Sequence, residues 1–412
     1  MRCIIDGQVV LSRPLEGPLA AQIAAFAKWA REQGYALRSR YQRVLLAAGF
    51  SRWLGEQAVG LHLVSSEHPA RYLRFRARRV KVHEGDAAAL KQFLGFLRRH
   101  GVIPAEKISP RRLTPVEQET QAFERYLGEE RALARATCVN YVPFIRRFLI
   151  GRFGTGPVTL SRLCAGDVVR FVQRQAPRLH LKRAKLLTSA LRSFLHYARY
   201  RGNITLDLAA AVPPVANWSM TSIPRAIPAD QVRQLLVSIS RRTALGRRDY
   251  AIVLLLARLG LRSSEVAFLE LDDIDWNAGQ MSVRGKGGQR TALPLPADVG
   301  AAIAAYLRHG RPHTTSRRVF LRTRAPIRGF LGPSAIGSLV RHRLERAGVD
   351  APTRGAHQFR HALATQMLRN GASLTEIGEV LRHRSPETTR IYAKVDLGAL
   401  RTLALPWPGG VR

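Results

Sequence analysis

The stretch HQFRHALATQMLRNGASLTEIGEVLRHRSPETTRIY, His357 to Tyr392, decides how the rest of the chain is read. Its apolar residues recur at helical spacing over about 357–370 and 373–381. His357 and Arg360 stand three apart, so on a helix they share one face. His383 follows Arg360 by 23 residues and precedes Tyr392 by nine, with Thr388-Thr389 and Ile391 just before the tyrosine. Each fragment alone is ordinary: an Arg beside a His is commonly a solvated pair, and a Tyr is commonly a core residue. The fixed order of all of them in one segment is what carries information.

Working outward, Leu259-Gly260-Leu261-Arg262-Ser263-Ser264-Glu265 places an arginine after a glycine turn, at the opening of a helix. Gln280 to Arg284 and Arg290 to Leu295 alternate as short strands around Gly285-Lys286-Gly287-Gly288, which is hairpin turn chemistry. Pro228-Ala229-Asp230 opens another helix, Asp249 to Arg258 forms one, and two more are expected near 297–308 and 333–347. Residues 228–412 therefore read as a mostly helical domain with a small sheet.

Upstream lies VPPVANWSMTSIPRAIP, residues 212–228, whose four prolines and near-absence of charge mark a linker at 212–227. Residues 114–211 read as four helices: Val116–Leu127 behind Pro115, Ala136–Phe153, Asp167–Gln175 and Lys182–Arg201, the last ended by Gly202-Asn203. Residues 1–110 carry an echo of this segment. LKQFLGFLRRHGVI (Leu90 to Ile103) lines up with LRSFLHYARYRGNI (Leu191 to Ile204) at an offset of 101. RYLRFRARR (Arg71 to Arg79) lines up with DVVRFVQRQ (Asp167 to Gln175) at an offset of 96. An internal duplication is the expectation.

Composition narrows the class. The chain has 412 residues, 66 Lys+Arg against 29 Asp+Glu, and a formal net charge of +37, with 46% hydrophobic residues. That is apolar enough for packed cores, which excludes a wholly disordered basic tail. The charge calls for a polyanionic partner. No run approaches the ~20 apolar residues of a membrane span, the N-terminus lacks a secretory pattern, and Cys3, Cys138 and Cys164 form neither a disulfide framework nor a metal motif. A cytoplasmic protein without a membrane role is expected. Only eight of the 66 basic residues are lysines, yet one of them, Lys286, sits at the hairpin tip.

The pattern G-L-R-x-x-E, G-K-G, H-x-x-R-H and L-x-H-x(8)-Y, as it stands in residues 260–392, resembles the tyrosine recombinase (phage integrase) family, and the likeness extends over about 115–405. The resemblance implies a mainly α fold with a small β-sheet (α+β): a helical, SAM-like core-binding domain at 114–211, then a catalytic domain at 228–412 with a C-terminal docking tail. Residues 1–110 are expected to be a helical DNA-binding extension. The resemblance also implies catalytic roles for Arg262, Lys286, His357, Arg360, His383 and Tyr392, with Tyr392 the nucleophile. Arg284, Arg290, Arg382 and Arg384 are expected DNA contacts. Double-stranded DNA is the implied partner, bound by a homotetramer or by a hetero-assembly with related recombinases on two duplexes. No metal and no cofactor are expected.

Elementary chemistry fits these roles. Arg262 and Arg360 suit the two non-bridging oxygens of a phosphodiester. His357 suits the tyrosine proton and His383 a hydrogen bond to the phosphate. Lysine can be tuned to donate a proton whereas arginine effectively never does, so Lys286 suits protonation of the leaving 5′-oxygen. The guanidiniums are expected to lower the tyrosine pKa from about 10. Arg382 departs from the glycine usual in the family at that turn, so it must adopt glycine-like backbone geometry or the turn must differ. The ending YAKVDLGALRTLALPWPGG is similar to recombinases of transposon-like elements that encode several integrases together. Integration, excision or transposition of a mobile element is the implied task. A type IB topoisomerase-like enzyme and an accessory DNA-binding subunit remain alternatives on sequence alone.

Overall fold

A computed structural model of the chain describes residues 3–5, 9–11, 14–106, 112–215, 225–285, 288–383 and 385–395. Lys286, Arg384 and the tail from Asp396 onward, and with them three of the calls above, lie outside the described residues. The chain divides into two compact units, Ile108–Thr221 and Met1–Lys107 with Ser222–Arg412.

The N-terminal segment begins with an antiparallel ribbon of β1 (Cys3–Ile5) and β2 (Val9–Leu11). Four helices follow: α1 (Ala20–Glu32), α2 (Leu37–Glu56), α3 (His68–Ala77) and α4 (Asp86–Arg99). On α2, Leu46, Ala47, Phe50 and Leu54 recur at helical spacing and are buried, so one face of the helix builds the core with Phe26 and Phe93.

The unit Ile108–Thr221 holds α5 (Pro115–Arg125), α6 (Arg135–Phe153), α7 (Ala165–Gln175) and α8 (Leu181–Tyr200). The α5 start is fixed by chemistry local to the sequence. The Thr114 hydroxyl accepts from the Glu117 amide at 3.2 Å, the Glu117 carboxylate accepts from the Thr114 amide at 3.0 Å, and Pro115 supplies a first helical residue that needs no N–H partner. Phe123, Phe148, Leu187 and Phe194 are fully buried between the helices.

The two four-helix segments repeat one another in element order. Burial supports the offset of 101 for α4 and α8: Leu90, Phe93, Leu94 and Leu97 are buried, as are Leu191, Phe194, Leu195 and Ala198. The offset of 96 for α3 and α7 needs correction. The buried residues are Tyr72 in α3 and Phe171 in α7, an offset of 99, while Phe75 is only partly buried. Matching Phe75 to Phe171 by aromatic identity overlooked which aromatic residue each helix buries.

The third segment opens with α9 (Ala229–Ser238) and the central α10 (Ala244–Leu259), whose residues Ala251 to Leu256 are all buried against α12 (Ala297–His309) and α14 (His357–Arg369). Helix α10 starts five residues earlier than the sequence suggested. The Thr243 hydroxyl caps the Gly246 amide at 3.0 Å, and Arg248 is buried against Asp249. Helix α11 (Ser263–Ala267) follows, then a three-stranded antiparallel sheet of β3 (Ile274–Asp275), β4 (Gln280–Arg284) and β5 (Arg290–Pro294) in the order β3-β4-β5. Met281 faces Leu293 and Val283 faces Thr291, so Met281 and Val283 point into the core. Helices α13 (Pro333–Arg346), α15 (Leu374–Val380) and α16 (Pro386–Thr389) complete the segment, and a 3-10 turn, Arg390–Val395, carries Tyr392. Among the described residues no helix is long and apolar enough to cross a membrane.

Candidate active site

Gly260 starts the site. It ends α10 with φ +56°, and a Cβ there would stand 3.0 Å from both Leu363 and Leu381. Glycine is thus required for backbone geometry and for space. The turn exposes the Gly260 carbonyl to Arg360, whose Nη1 donates to it at 2.7 Å. Arg360 Nη2 donates to the Leu381 carbonyl. One buried guanidinium on α14 therefore ties together the end of α10 and the end of α15, 3% exposed and bound to backbone oxygens that carry no compensating charge.

Two more arginines converge on the same place. Arg262 caps α11, donating through Nη1 to Glu265 at 2.8 Å and through Nη2 to the Arg382 carbonyl at 3.2 Å. Arg382 Nη2 donates to the other Glu265 oxygen at 2.9 Å. The φ of Arg382 is +56°, so it takes up the glycine-like backbone that the family's usual residue would supply. It spends that strain on turning its side chain toward Glu265. Two guanidiniums thus share one buried carboxylate, with that of Arg360 beside them on backbone carbonyls, and the Arg382 Nε is buried with no hydrogen-bond partner. Burial, and after it the fields of Arg262 and Arg382, lower the Arg360 pKa to about 10, still fully protonated at neutral pH.

Tyr392 is 2% exposed, in a small core with Ala364, Ile377 and Leu381. Its hydroxyl lies 3.0 Å from Nδ1 of His361, one residue past Arg360 on α14. The His383 ring stacks parallel to the tyrosine at 6.5 Å between centroids, held there by the Thr389 hydroxyl 2.7 Å from its Nδ1. His357 stands one helical turn before His361, the two rings stacked at 5.8 Å. Among the described residues the site thus gathers Arg262, Arg360, Arg382, His383 and Tyr392, with His357 reaching it through His361.

The electrostatics differ from the sequence reading in two respects. The tyrosine pKa is pushed up to about 12 by burial, and the Arg360 field that lowers it is the weaker influence. The imidazole placed to take the tyrosine proton is His361, not His357. Its pKa is lowered, by burial first and then by His357 and Arg360. His383 falls to about 4, by burial and then by Arg360, Arg262 and Arg382. Both imidazoles are neutral at pH 7, so each has one acceptor nitrogen. His361 and Glu265 are the members of the site that the sequence did not mark. The H-x-x-R-H and R-x-x-E spacings contained both, but only the packing of the 3-10 turn against α14 shows what they touch.

The other expected contacts are divided. Arg284, at the end of β4, pairs with Glu270 at 2.7 Å and lies 3.8 Å from Asp273. Arg290 stands exposed opposite it on β5. Among the described residues no group of three or more His, Cys, Asp or Glu is placed to hold a metal ion.

A buried nest of arginines beside a tyrosine hydroxyl, on a helical domain with a small hairpin sheet, is the arrangement implied by the resemblance to the tyrosine recombinase family. Comparison with known proteins places the chain within it: residues 225–397 match the phage integrase family. The chain is 59% identical over 409 residues, 99% of both chains, to "Putative integrase/recombinase y4rA" of Sinorhizobium fredii (strain NBRC 101917 / NGR234). It is 31% identical to tyrosine recombinase XerD of Mycobacterium tuberculosis (strain ATCC 25618 / H37Rv), over 71% of this chain and 96% of that one. Among solved structures, XerH site-specific recombinase bound to palindromic difH substrate has a TM-score of 0.56 at 20% identity, covering 70% of this chain and 84% of that one. A lambda integrase (75-356) dimer bound to a COC' core site has a TM-score of 0.52 at 17% identity, covering 68% and 95%. These two share the fold. The chain belongs to the phage integrase, or tyrosine recombinase, family, and is a site-specific recombinase that cleaves and rejoins DNA.

Proposed function

We propose that this recombinase exchanges strands of double-stranded DNA through a 3′-phosphotyrosine at Tyr392. The observation that carries the reading is the charge imbalance at Arg262, Arg360 and Arg382, three guanidiniums facing one carboxylate beside the tyrosine. A phosphodiester entering there supplies the missing negative charge, and its non-bridging oxygens accept paired N–H groups from Arg262 and Arg360. The tyrosine oxygen attacks phosphorus, its proton passes to His361, and the bond to the 5′-oxygen breaks. That oxygen takes its proton from Lys286, which lies between β4 and β5 in the sequence. His383, neutral and parallel to the tyrosine ring, donates a hydrogen bond from its remaining ring nitrogen to the phosphoryl group. The ester keeps the bond energy, so a 5′-hydroxyl from a second duplex reverses the step without ATP.

The high pKa of Tyr392 fits an enzyme that waits. The hydroxyl is buried and bonded to His361 until a phosphate sits among the arginines and adds a reason to ionise. Strand exchange between two duplexes calls for several protomers, a homotetramer or a mixed assembly with related recombinases, each contributing one such site, and integration, excision or transposition of a mobile element is the task this serves. The test is a nicked suicide duplex, drawn from the ends of the element that carries the gene and incubated with EDTA. Wild type is expected to form a covalent adduct on the 3′ side of the break, and Tyr392→Phe to bind without forming one. An adduct with Tyr392→Phe, or none with wild type despite tight binding, overturns the assignment.

A further inference from the structure

The two four-helix segments match in details that packing alone does not impose. In α4 and α8 the helix ends at a left-handed glycine, Gly101 with φ +68° and Gly202 with φ +72°. The next amide returns to the helix in both: Val102 to the Leu97 carbonyl at 3.0 Å, Asn203 to the Ala198 carbonyl at 2.9 Å. Ile103 and Ile204 then close the core. Both third helices follow a short 3-10 turn, Leu61–Leu63 and Leu160–Arg162, at the same offset of 99. At that offset, in both copies, a backbone amide donates to the side chain three residues further on. The Ser65 amide donates to His68 Nδ1 at 3.0 Å, where the Cys164 amide donates to the Asp167 carboxylate at 3.2 Å.

The aromatic cores coincide as well. Phe26 meets Phe93 at 4.7 Å and Phe123 meets Phe194 at 5.3 Å. Trp29 meets Phe96 at 6.0 Å and Tyr126 meets Tyr197 at 4.9 Å. Phe50 lies edge-on to Tyr72 at 60°, and Phe148 edge-on to Phe171 at 61°. The offsets run 97, 98, 99 and 101 along the chain, which is what one ancestral module with three small length changes gives.

The copies also share their charge. Residues 14–106 hold fifteen Lys and Arg against seven Asp and Glu, and residues 115–204 sixteen against six. At the offset of 99, Arg71 falls on Arg170 and Arg79 on Arg178, all four exposed. In the second copy Arg170 is partly neutralised by Asp167 at 2.8 Å. In the first copy that acid is His68, so Arg71 keeps its charge. Arg71, Arg74 and Arg78 follow at three- and four-residue spacing, and Lys81 lies just beyond. Like charges so arranged destabilise a helix unless an anion meets them.

We infer that residues 14–106 are a second DNA-gripping module, whose face bearing Arg71, Arg74, Arg78 and Lys81 contacts duplex phosphates beyond those reached by residues 115–204. This rests on the DNA-recombinase reading above, and the partner it commits to is duplex DNA. Its specificity is of the backbone kind, since arginine rows on a helix face grip phosphates without reading bases.

The test uses the full-length chain with Arg71→Ala, Arg74→Ala, Arg78→Ala and Lys81→Ala combined; all four side chains are exposed, so the core is untouched. Hydroxyl-radical footprints are compared on the nicked site, and the salt dependence of binding on an unrelated duplex. Expected are loss of protection on one flank with the cleavage-proximal protection kept, affinity about tenfold to a hundredfold weaker near physiological salt, and a salt slope shallower by about 3. A footprint and slope identical to wild type overturn the inference. A changed oligomeric state with an unchanged footprint also overturns it, by showing the face to be a contact between chains. Adduct formation is scored on the same samples: adduct with an unchanged footprint sinks this inference alone, whereas no adduct with wild type sinks the underlying reading.

Discussion

Among the described residues of 225–395 lie two buried arginine clusters, and they are balanced in opposite ways. Around α10 and α13, Arg248 and Arg343 close on Asp249, through pairs of 2.7 and 2.6 Å, and Arg248 Nη1 donates to the Leu321 carbonyl at 2.8 Å. All three side chains are at most 11% exposed. Two cations share one anion, and the geometry is closed. Around Gly260 three cations stand against one anion: two of them share it, the third leans wholly on backbone carbonyls, and a buried N–H has no partner. The first cluster is complete as it stands. The second is completed by an anion that comes from outside, and this difference separates an ion pair that holds a fold from one that does chemistry.

The largest effects that test the contrast are a pair of substitutions with opposite signatures. Arg262→Ala removes one phosphate-gripping fork while leaving Glu265 paired with Arg382. Its expected cost is about 100- to 1,000-fold in the rate of adduct formation with a stability change under about 1 kcal/mol. Asp249→Asn strips the shared anion from two buried guanidiniums. It is expected to cost about 3–5 kcal/mol of stability while leaving the cleavage rate per folded molecule unchanged. Denaturant unfolding and single-turnover cleavage of the nicked duplex read both quantities. If Asp249→Asn slowed the chemistry as much as Arg262→Ala, the two clusters would not be separate devices.

How much of this was legible in the sequence depends on the kind of contact. The spacing marked Arg262, Arg360, His383 and Tyr392, because the elements carrying them are short, regular and announced by glycine or proline. The strained turn at Arg382 was also legible, since a position that favours glycine signals positive φ whatever residue fills it. His361 was not. It adjoins Arg360 but points about 100° away around the helix, and only the placement of the 3-10 turn decides that it meets Tyr392. The direction of the tyrosine's pKa was misread for a related reason: the arginines are visible in sequence, whereas burial is a property of the packed core. Strand β3 has two residues, too few for any alternation to show. The α3 pairing slipped by three residues because arginine-rich helices align well by identity in several registers, and the Ser65–His68 contact before α3 does not look in sequence like the cap at Cys164.

An intermediate effect is expected at the turn that joins the open cluster to the core. Gly260→Ala meets two leucine side chains at 3.0 Å and forces alanine into the left-handed region. The cost is about 1–3 kcal/mol. Because the Gly260 carbonyl holds Arg360, cleavage is expected to slow beyond what the lost folded fraction explains. Gly371, also left-handed at φ +90° but with open space where a Cβ would stand, is the control. Its alanine variant pays only the backbone part and leaves the cleavage rate of the folded protein intact. Equal rate losses at the two glycines would mean that the turn sets stability alone.

The smallest effect probes the open cluster through a proton. His383 has its pKa lowered to about 4, by burial and by the fields of three arginines, against 6.5 in an unfolded chain. The unfolded state therefore binds the proton first as pH falls. The stability associated with a neutral His383 is intact above about pH 6.5, is lost as pH falls toward about 4, and declines no further below that. Discounted for the solvent that reaches the ring, the loss is about 1 kcal/mol. His383→Gln is expected to flatten the stability profile across that window and nowhere else. Bound duplex weakens the field at the ring, because a phosphate among Arg262, Arg360 and Arg382 offsets part of the charge that expels the proton. The His383 resonance followed by NMR should then titrate well above its value in the free protein. A titration that stayed near 4 with DNA bound would mean that the phosphate does not enter the cluster, and the arginines around Gly260 would have to be read, like those around Asp249, as part of the fold.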